Sequence, residues 1–248
     1  MKKNLFTTGG VSLVVAAAIL FGGCGSAVHA QSTESVSAAQ TGVLTAGTAA
    51  VTLAAADSSP FTERDLTQTA DLSEATAITV SDGATVTISK AGVYVLTGSA
   101  ENATVVVDAE DDDKVQLILN GLSIVNADQP CILVENADKV FLTSAEGTEN
   151  TLSVSGSFTA DEDAAVYSRD DLVLNGLGTV TVLSAGDGIR TNDDLKLTGG
   201  TWVVNAKGTA LKAHDSISAA DGVYTLTAGG DGLHAEDSDD DTTGSILI

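Results

Sequence analysis

Asp187-Gly188-Ile189-Arg190-Thr191-Asn192-Asp193-Asp194-Leu195 recurs along the chain in altered form. Offset by 23 residues stands Ala164-Ala165-Val166-Tyr167-Ser168-Arg169-Asp170-Asp171-Leu172, and 22 residues later Thr209-Ala210-Leu211-Lys212-Ala213-His214-Asp215-Ser216-Ile217. Asp231-Gly232-Leu233-His234-Ala235-Glu236-Asp237-Ser238 follows after a further 22. Looser copies of the same Asp-x-apolar element are Asp113-Lys114-Val115 and Asp138-Lys139-Val140. A period in the low twenties, made of short alternating apolar runs and Gly turns, is that of a parallel β-solenoid. A leucine-rich repeat shares the period, but its Leu-x-x-Leu-x-Leu and Asn signature is absent. The spacing therefore predicts an all-β parallel β-helix with coils of 22–23 residues, about eight of them, each of about three short strands.

Equivalent positions in a solenoid stack at the strand spacing of about 4.8 Å, so columns can be read from the sequence. Val166, Ile189, Leu211 and Leu233 form one inward apolar column. Val180, Trp202, Tyr224 and Ile246 form a second, and Val182, Val204, Leu226 and Ile248 a third. Thr181, Val203, Thr225 and Leu247 then point outward. This assignment makes Trp202 a core residue stacked with Tyr224 rather than an exposed platform for sugar. Gly244-Ser245-Ile246-Leu247-Ile248 aligns with Gly222-Val223-Tyr224-Thr225-Leu226, so the chain stops within a coil. Solenoids cap their open ends, and a chain truncated at the C-terminus is the expectation.

Composition narrows the class. Eleven Lys and Arg face 34 Asp and Glu, a formal charge of −23. Residues 1–30 contain Lys2 and Lys3 and no acid, so the remainder carries 9 − 34 = −25. Such a balance excludes a nucleic-acid phosphate binder and argues against docking on anionic lipid through charge. An apolar fraction of 43% argues against disorder. Aromatics at 4%, 25 Gly and two Pro suit repeated short strands with tight turns.

The first 30 residues read as an export signal. Lys2 and Lys3 form its basic start, and Val11 to Phe21 an apolar run too short for a membrane span. Phe21-Gly22-Gly23-Cys24 is similar to a lipobox, with Cys24 the lipid acceptor and Phe21 in place of the usual Leu. Val28-His29-Ala30 before Gln31 offers a competing cleavage site. The lipobox is favoured, because small residues directly precede one of only two Cys. The chain is then exported and anchored by lipid at the outer face of the membrane, or secreted; only the lipid touches membrane. Cys131 is left alone, without a possible intramolecular disulfide, and its apolar neighbours Ile132-Leu133-Val134 predict a buried inert thiol. Residues 31–60, rich in Ala, Thr, Ser and Gly, read as a flexible stalk, and residues 61–248 as the β-helix. Order is expected to start between Phe61 and Leu72.

Two polar columns carry the candidate site. Tyr167, Arg190, Lys212 and His234 follow the inward Val166 column by one residue and so point outward. Like charges directly opposite across strands destabilise a sheet, and an anionic ligand is one reason to keep them; neutralisation by nearby acids is the other. The second column is Asp170, Asp193, Asp215 and Asp237, with Asp113 and Asp138 as earlier members and Asp171 and Asp194 alongside. Asp187 and Asp231 stand three residues before the basic column. Stacked carboxylates repel. Either each caps a backbone N–H in its own turn, or several converge on calcium, a hard cation that takes oxygen ligands. The metal candidates are Asp170, Asp187, Asp193, Asp194, Asp215, Asp231 and Asp237. The acidic run 237–241 is not an EF-hand loop, lacking its Gly and terminal Glu.

Asp111-Asp112-Asp113-Lys114-Val115, Leu119-Asn120-Gly121, Ala145-Glu146-Gly147-Thr148-Glu149-Asn150-Thr151-Leu152, Ser168-Arg169-Asp170-Asp171-Leu172 and Asp187-Gly188-Ile189 together carry a resemblance. Residues 60–248 resemble a bacterial carbohydrate-binding β-helix family of cellulolytic clostridia, formerly a domain of unknown function. The resemblance implies a right-handed parallel β-helix similar to pectate lyases, calcium binding, and non-catalytic affinity for cellulose or acidic sugars such as polygalacturonate. It supplies no residue-level motif, so the candidate residues rest on the columns.

Three functions compete. The first is a calcium-assisted binder of acidic polysaccharide, with Arg190 and Lys212 meeting sugar carboxylates. The second is a polysaccharide lyase with Arg190 or Lys212 as base, or a hydrolase using paired Asp. The third is a structural adhesin that presents only surface. The first is favoured.

Overall fold

The computed structural model describes residues 59–236 and 244–248. Cys24, Asp237, the export signal and the stalk up to residue 58 lie outside the described residues.

Short runs of β-branched residues set the local structure. Thr179–Ser184 reads Thr-Val-Thr-Val-Leu-Ser, with Val180 and Val182 buried and Thr181 and Leu183 on the other side. Each such run pairs in parallel with the equivalent run one coil away, not with its neighbour in sequence. Stacking of this kind lets strands too short to be stable alone complete one another's backbone hydrogen bonds. Three faces result. Face one carries Thr76–Thr79, residues 92–96 and 114–119, Lys139–Ser144, Asp171–Gly176, Leu195–Leu197, Ser216–Ala219 and Ser245–Leu247. Face two carries residues 98–101 and 122–126, Glu149–Val154, Thr179–Ser184, Thr201–Ala206 and Val223–Ala228. Face three carries Thr85–Ile88, Thr104–Asp108, Ile132–Asn136, Ala164–Ser168, Asp187–Thr191, Leu211–Ala213 and Leu233–Ala235. The chain is an all-β parallel β-helix, as the repeat predicts.

The corner between faces one and two is turned by glycine. Gly121, Gly176, Gly200 and Gly222 all have positive φ there, a conformation that costs glycine little. At Gly176 a Cβ would strike the Ser144 backbone of the adjacent coil. Interior columns follow the sequence reading over most of the repeat. Val166, Ile189, Leu211 and Leu233 pair in register, as do Val180, Trp202 and Tyr224, and Val182, Val204 and Leu226. Trp202 is fully buried, and its indole N–H donates to the Gly199 carbonyl at 3.0 Å. Cys131 is buried, and burial pushes its thiol up to about 12.

Two expectations need correction. The strict period holds only locally: Leu174 to Leu197 is 23 residues and Leu195 to Ile217 is 22, but Ile78 to Leu96 is 18 and Leu142 to Leu174 is 32. The last coil is also longer. Ile246 pairs with Ile217 on face one, an offset of 29, and not with Tyr224 on face two. Leu247 accordingly lies beside Ser218. With 29 − 22 = 7 more residues in this coil, the last strand has only reached face one, a face short of face two, so neither Ile246 nor Ile248 extends the Trp202 and Val204 columns.

Residues 61–68 lie across the outside of face one. Thr62 and Asp65 close a capping box: the Thr62 N–H donates to Asp65 Oδ2 at 2.9 Å, and the Asp65 N–H to Thr62 Oγ1 at 3.2 Å. Downstream, Asn175 Nδ2 donates to the Thr67 carbonyl, Gln68 Nε2 to the Thr198 carbonyl, and the Gly176 N–H to Gln68 Oε1. The Arg64 guanidinium sits 4.5 Å above the Phe141 ring. This clasp explains why Phe141, Val173 and Asn175 are buried although they alternate with inward-facing residues. Asp65 is itself fully buried, between Lys139 Nζ at 3.7 Å and Lys196 Nζ at 3.5 Å. Burial alone would raise its pKa, but the Thr62 N–H and the two ammonium groups outweigh burial and hold it below the ordinary value.

Candidate functional site

Face three presents the predicted outward row. Thr87, Val106, Leu133, Tyr167, Arg190, Lys212 and His234 stand in register, one per coil. The N-terminal half of the row is apolar and borders a groove of about 250 Å³, whose other lining includes Thr104, Asn126, Asp128 and Gln129. The C-terminal half is basic. The Arg190 guanidinium lies 5.4 Å from the Tyr167 ring centroid, within reach of a cation–π attraction. Tyr167 donates its hydroxyl to Asn192 Oδ1 at 3.2 Å and is 93% covered, so it offers an edge rather than an open ring.

Carboxylates interleave with the basic side chains and explain how these stack. Asp163 meets Arg190 at 2.9 Å, Asp187 meets Lys212 at 3.8 Å, and Asp231 and Glu236 meet the two ring nitrogens of His234 at 3.0 and 3.1 Å. A neighbouring acid, the second of the two explanations for the column, is thus present at Arg190, Lys212 and His234. Asp187 and Asp231 are thereby engaged with the row and lie apart from the acidic corner. Asp187 accepts the Thr209 N–H through Oδ1 at 2.7 Å while Oδ2 faces Lys212. Three residues before the row, a side chain reaches the next coil's turn and its lysine, not the acidic corner.

That corner lies between faces three and one, three residues beyond the row in each coil. Ligand oxygens of Asp193, Asp194 and Asp215 all fall within 4.8 Å of one another. Oxygen ligands sit about 2.3–2.6 Å from calcium, so two on one ion are at most about 5 Å apart; the cluster meets that limit, and its all-carboxylate donor set suits a hard cation. The chain's own groups hold its members in place. Ser216 donates to Asp194 Oδ1 at 2.6 Å, and His214 Nδ1 lies 2.9 Å from Asp215 Oδ1. None of the three carboxylates has a Lys or Arg partner among the described residues. Burial, then Asp171, Asp215 and Asp194, push the Asp193 carboxyl up to about 7, so near neutral pH it divides between its protonated and charged forms.

The remaining column members behave differently. Asp170 turns back to accept the Ala137 N–H at 3.0 Å, and its pKa is raised chiefly by burial and further by Asp171 and Asp111. Asp113 accepts the Ala91 N–H at 2.9 Å, and Asp138 pairs with Lys114 at 2.7 Å. Asp237 lies outside the described residues; by strand register the position after Asp215 falls to Gly244. The columns do not reveal Asp163, the partner of Arg190, because it precedes the repeated phrase. Nor do they reveal Lys139 and Lys196, although two lysines on an apolar strand face signal a buried counter-charge.

A family model described as "Carbohydrate-binding domain-containing protein" matches residues 82–248. The chain belongs to this family of carbohydrate-binding proteins. A relative from Acetivibrio thermocellus, with the same description, is 32% identical over 126 residues, 48% of this chain and 44% of the relative. The match thus spans less than half of that relative's length. Among solved structures, the polysaccharide lyase-like protein from C. thermocellum, a gadolinium derivative, superposes with a TM-score of 0.65 at 29% identity. That superposition covers 68% of this chain and 78% of the other.

Proposed function

We propose that the protein is a non-catalytic, calcium-assisted binder of acidic polysaccharide of the polygalacturonate kind. Export leaves it at the bacterial cell surface through lipid on Cys24, or secreted after cleavage at Ala30. The observation that carries the reading is adjacency: the outward row and the carboxylate cluster occupy the same coils, with Arg190 and Asp193 on one strand end and its turn. A calcium ion held by Asp193, Asp194 and Asp215 would supply the positive charge that draws a uronate carboxylate to an otherwise acidic surface. Arg190 and Lys212 donate hydrogen bonds along the row, where sugar carboxylates exchange with Asp163 and Asp187. The Arg190–Asp163 pair is part-exposed, so exchange there costs little, whereas Asp187 is buried and keeps its Thr209 N–H when Lys212 turns to a sugar.

Calorimetric titration with polygalacturonate tests the reading. Chelation of calcium lowers affinity at least about tenfold, the effect of losing a charged bridge. Equal binding after chelation and in high salt sinks the mechanism, and equal binding to cellulose moves the ligand to neutral glycan. Release of ultraviolet-absorbing unsaturated uronate overturns the non-catalytic assignment.

A further inference from the structure

Face one holds a second set of ligand-like contacts, separate from the row and the acidic corner. Lys139 and Lys196 lie two strands apart on its outer side, each 8% exposed. Between them stands the carboxylate of Asp65, delivered by the clasp and not by any strand. Its fit is incomplete. Asp65 Oδ2 accepts the Thr62 N–H, but Oδ1 is buried without a hydrogen-bond partner, and neither Nζ comes closer than 3.5 Å. Two ammonium groups carry six N–H donors, and Lys139 turns toward Asp171 at 3.0 Å. Charge is balanced only while Asp65 is present: Lys139 and Lys196 against Asp171 and Asp65. Without Asp65 the pocket keeps one uncompensated cation among apolar walls such as Phe141 and Val173. A buried unpaired charge recruits a counter-ion wherever one fits.

We propose that Lys139 and Lys196 form a carboxylate-binding site on face one that the chain's own Asp65 keeps filled. The ligand class is a small organic carboxylate, such as the carboxyl of a uronic acid. The floor is polar at Asn175 and Thr198, both of which already hydrogen-bond the clasp in place of a ligand. Arg64 stacked on Phe141 closes one side.

The test is chemical rescue in the full chain. Asp65→Ala empties the site, and the thermal unfolding midpoint is followed with galacturonate, acetate or chloride at matched ionic strength, in the absence of calcium. Saturating galacturonate or acetate raises the Asp65→Ala midpoint by about 2 °C or more relative to chloride. The wild-type midpoint gains less than that of Asp65→Ala, because Asp65 occupies the site and any binding on the row is common to both. Lys196→Met in the Asp65→Ala background abolishes the rescue. Should Asp65→Ala alone fail to fold, its refolding yield in galacturonate against chloride gives the same reading. A midpoint or yield equal in carboxylate and chloride overturns the proposal. Neither difference depends on the row or calcium, so its failure is distinct from failure of the polysaccharide reading.

Discussion

The acidic corner has two ends, and they differ by one residue in each coil. In the earlier coils the column aspartate is followed by lysine, as in Asp113-Lys114 and Asp138-Lys139; later it is followed by aspartate or serine, as in Asp170-Asp171, Asp193-Asp194 and Asp215-Ser216. At the first end Asp138 meets Lys114 at 2.7 Å, and Lys139 reaches Asp171 at 3.0 Å. At the other end Asp193, Asp194 and Asp215 face one another, and burial with this crowding pushes the Asp193 carboxyl up to about 7. The same turn geometry therefore serves as an ion-paired scaffold in one region and as a carboxylate cluster, the proposed cation trap, in the other. Lysine in the following position is what separates them.

Removing the central lysine breaks the scaffold end hardest. Lys139→Ala strands Asp171, leaves Asp65 with Lys196 alone, and costs about 3–5 kcal/mol in urea unfolding. Transplanting the scaffold residue tests the trap: Asp194→Lys lowers calcium affinity at least about tenfold in calorimetry, and raises the unfolding midpoint of the calcium-free protein. The third test is pH. Asp193 binds its proton more tightly folded, near 7, than unfolded, near 3.8. Calcium-free stability therefore falls as pH rises from about 4 to about 7 and stays low above. Calcium competes with that proton, so its affinity drops about tenfold per pH unit below about 7, and Asp193→Asn flattens both profiles. The smallest effect belongs to the exposed pair at the scaffold end, where Lys114→Ala costs less than about 1 kcal/mol.

Repeat spacing revealed the interior of this molecule better than its surface. Val166 to Leu233 and Val180 to Tyr224 pair as read, because an inward column tolerates only apolar residues and so leaves a strict trace. Ile246 was misplaced because Ser245-Ile246-Leu247 fits face one or face two equally by pattern, and only the length of the preceding segment decides. Asp193 and Asp215 lie in the predicted column and Asp194 beside it, but spacing alone does not say which carboxylates turn toward one another. Asp187 shows why: its position repeats, yet its direction is set by Lys212 in the next coil. The clasp left the weakest trace. Thr62-Glu63-Arg64-Asp65 is legible as a capping box, but its platform lies more than a hundred residues away and outside the period.

That separation bears on how the molecule is made. Asp65 leaves the ribosome before any strand of face one, yet its carbonyl is bonded by Thr198, 133 residues later. Coils can stack neighbour on neighbour as each is completed, whereas the clasp has no platform until Leu195–Leu197 lies on Asp171–Gly176. The earliest described segment to be synthesised is therefore among the last to dock. A slip of one residue in Leu195–Leu197 exchanges its inner and outer sides, which would turn Lys196 into the core and leave Asp65 facing Lys139 alone. Docking thus proofreads the stacking of the coils beneath it.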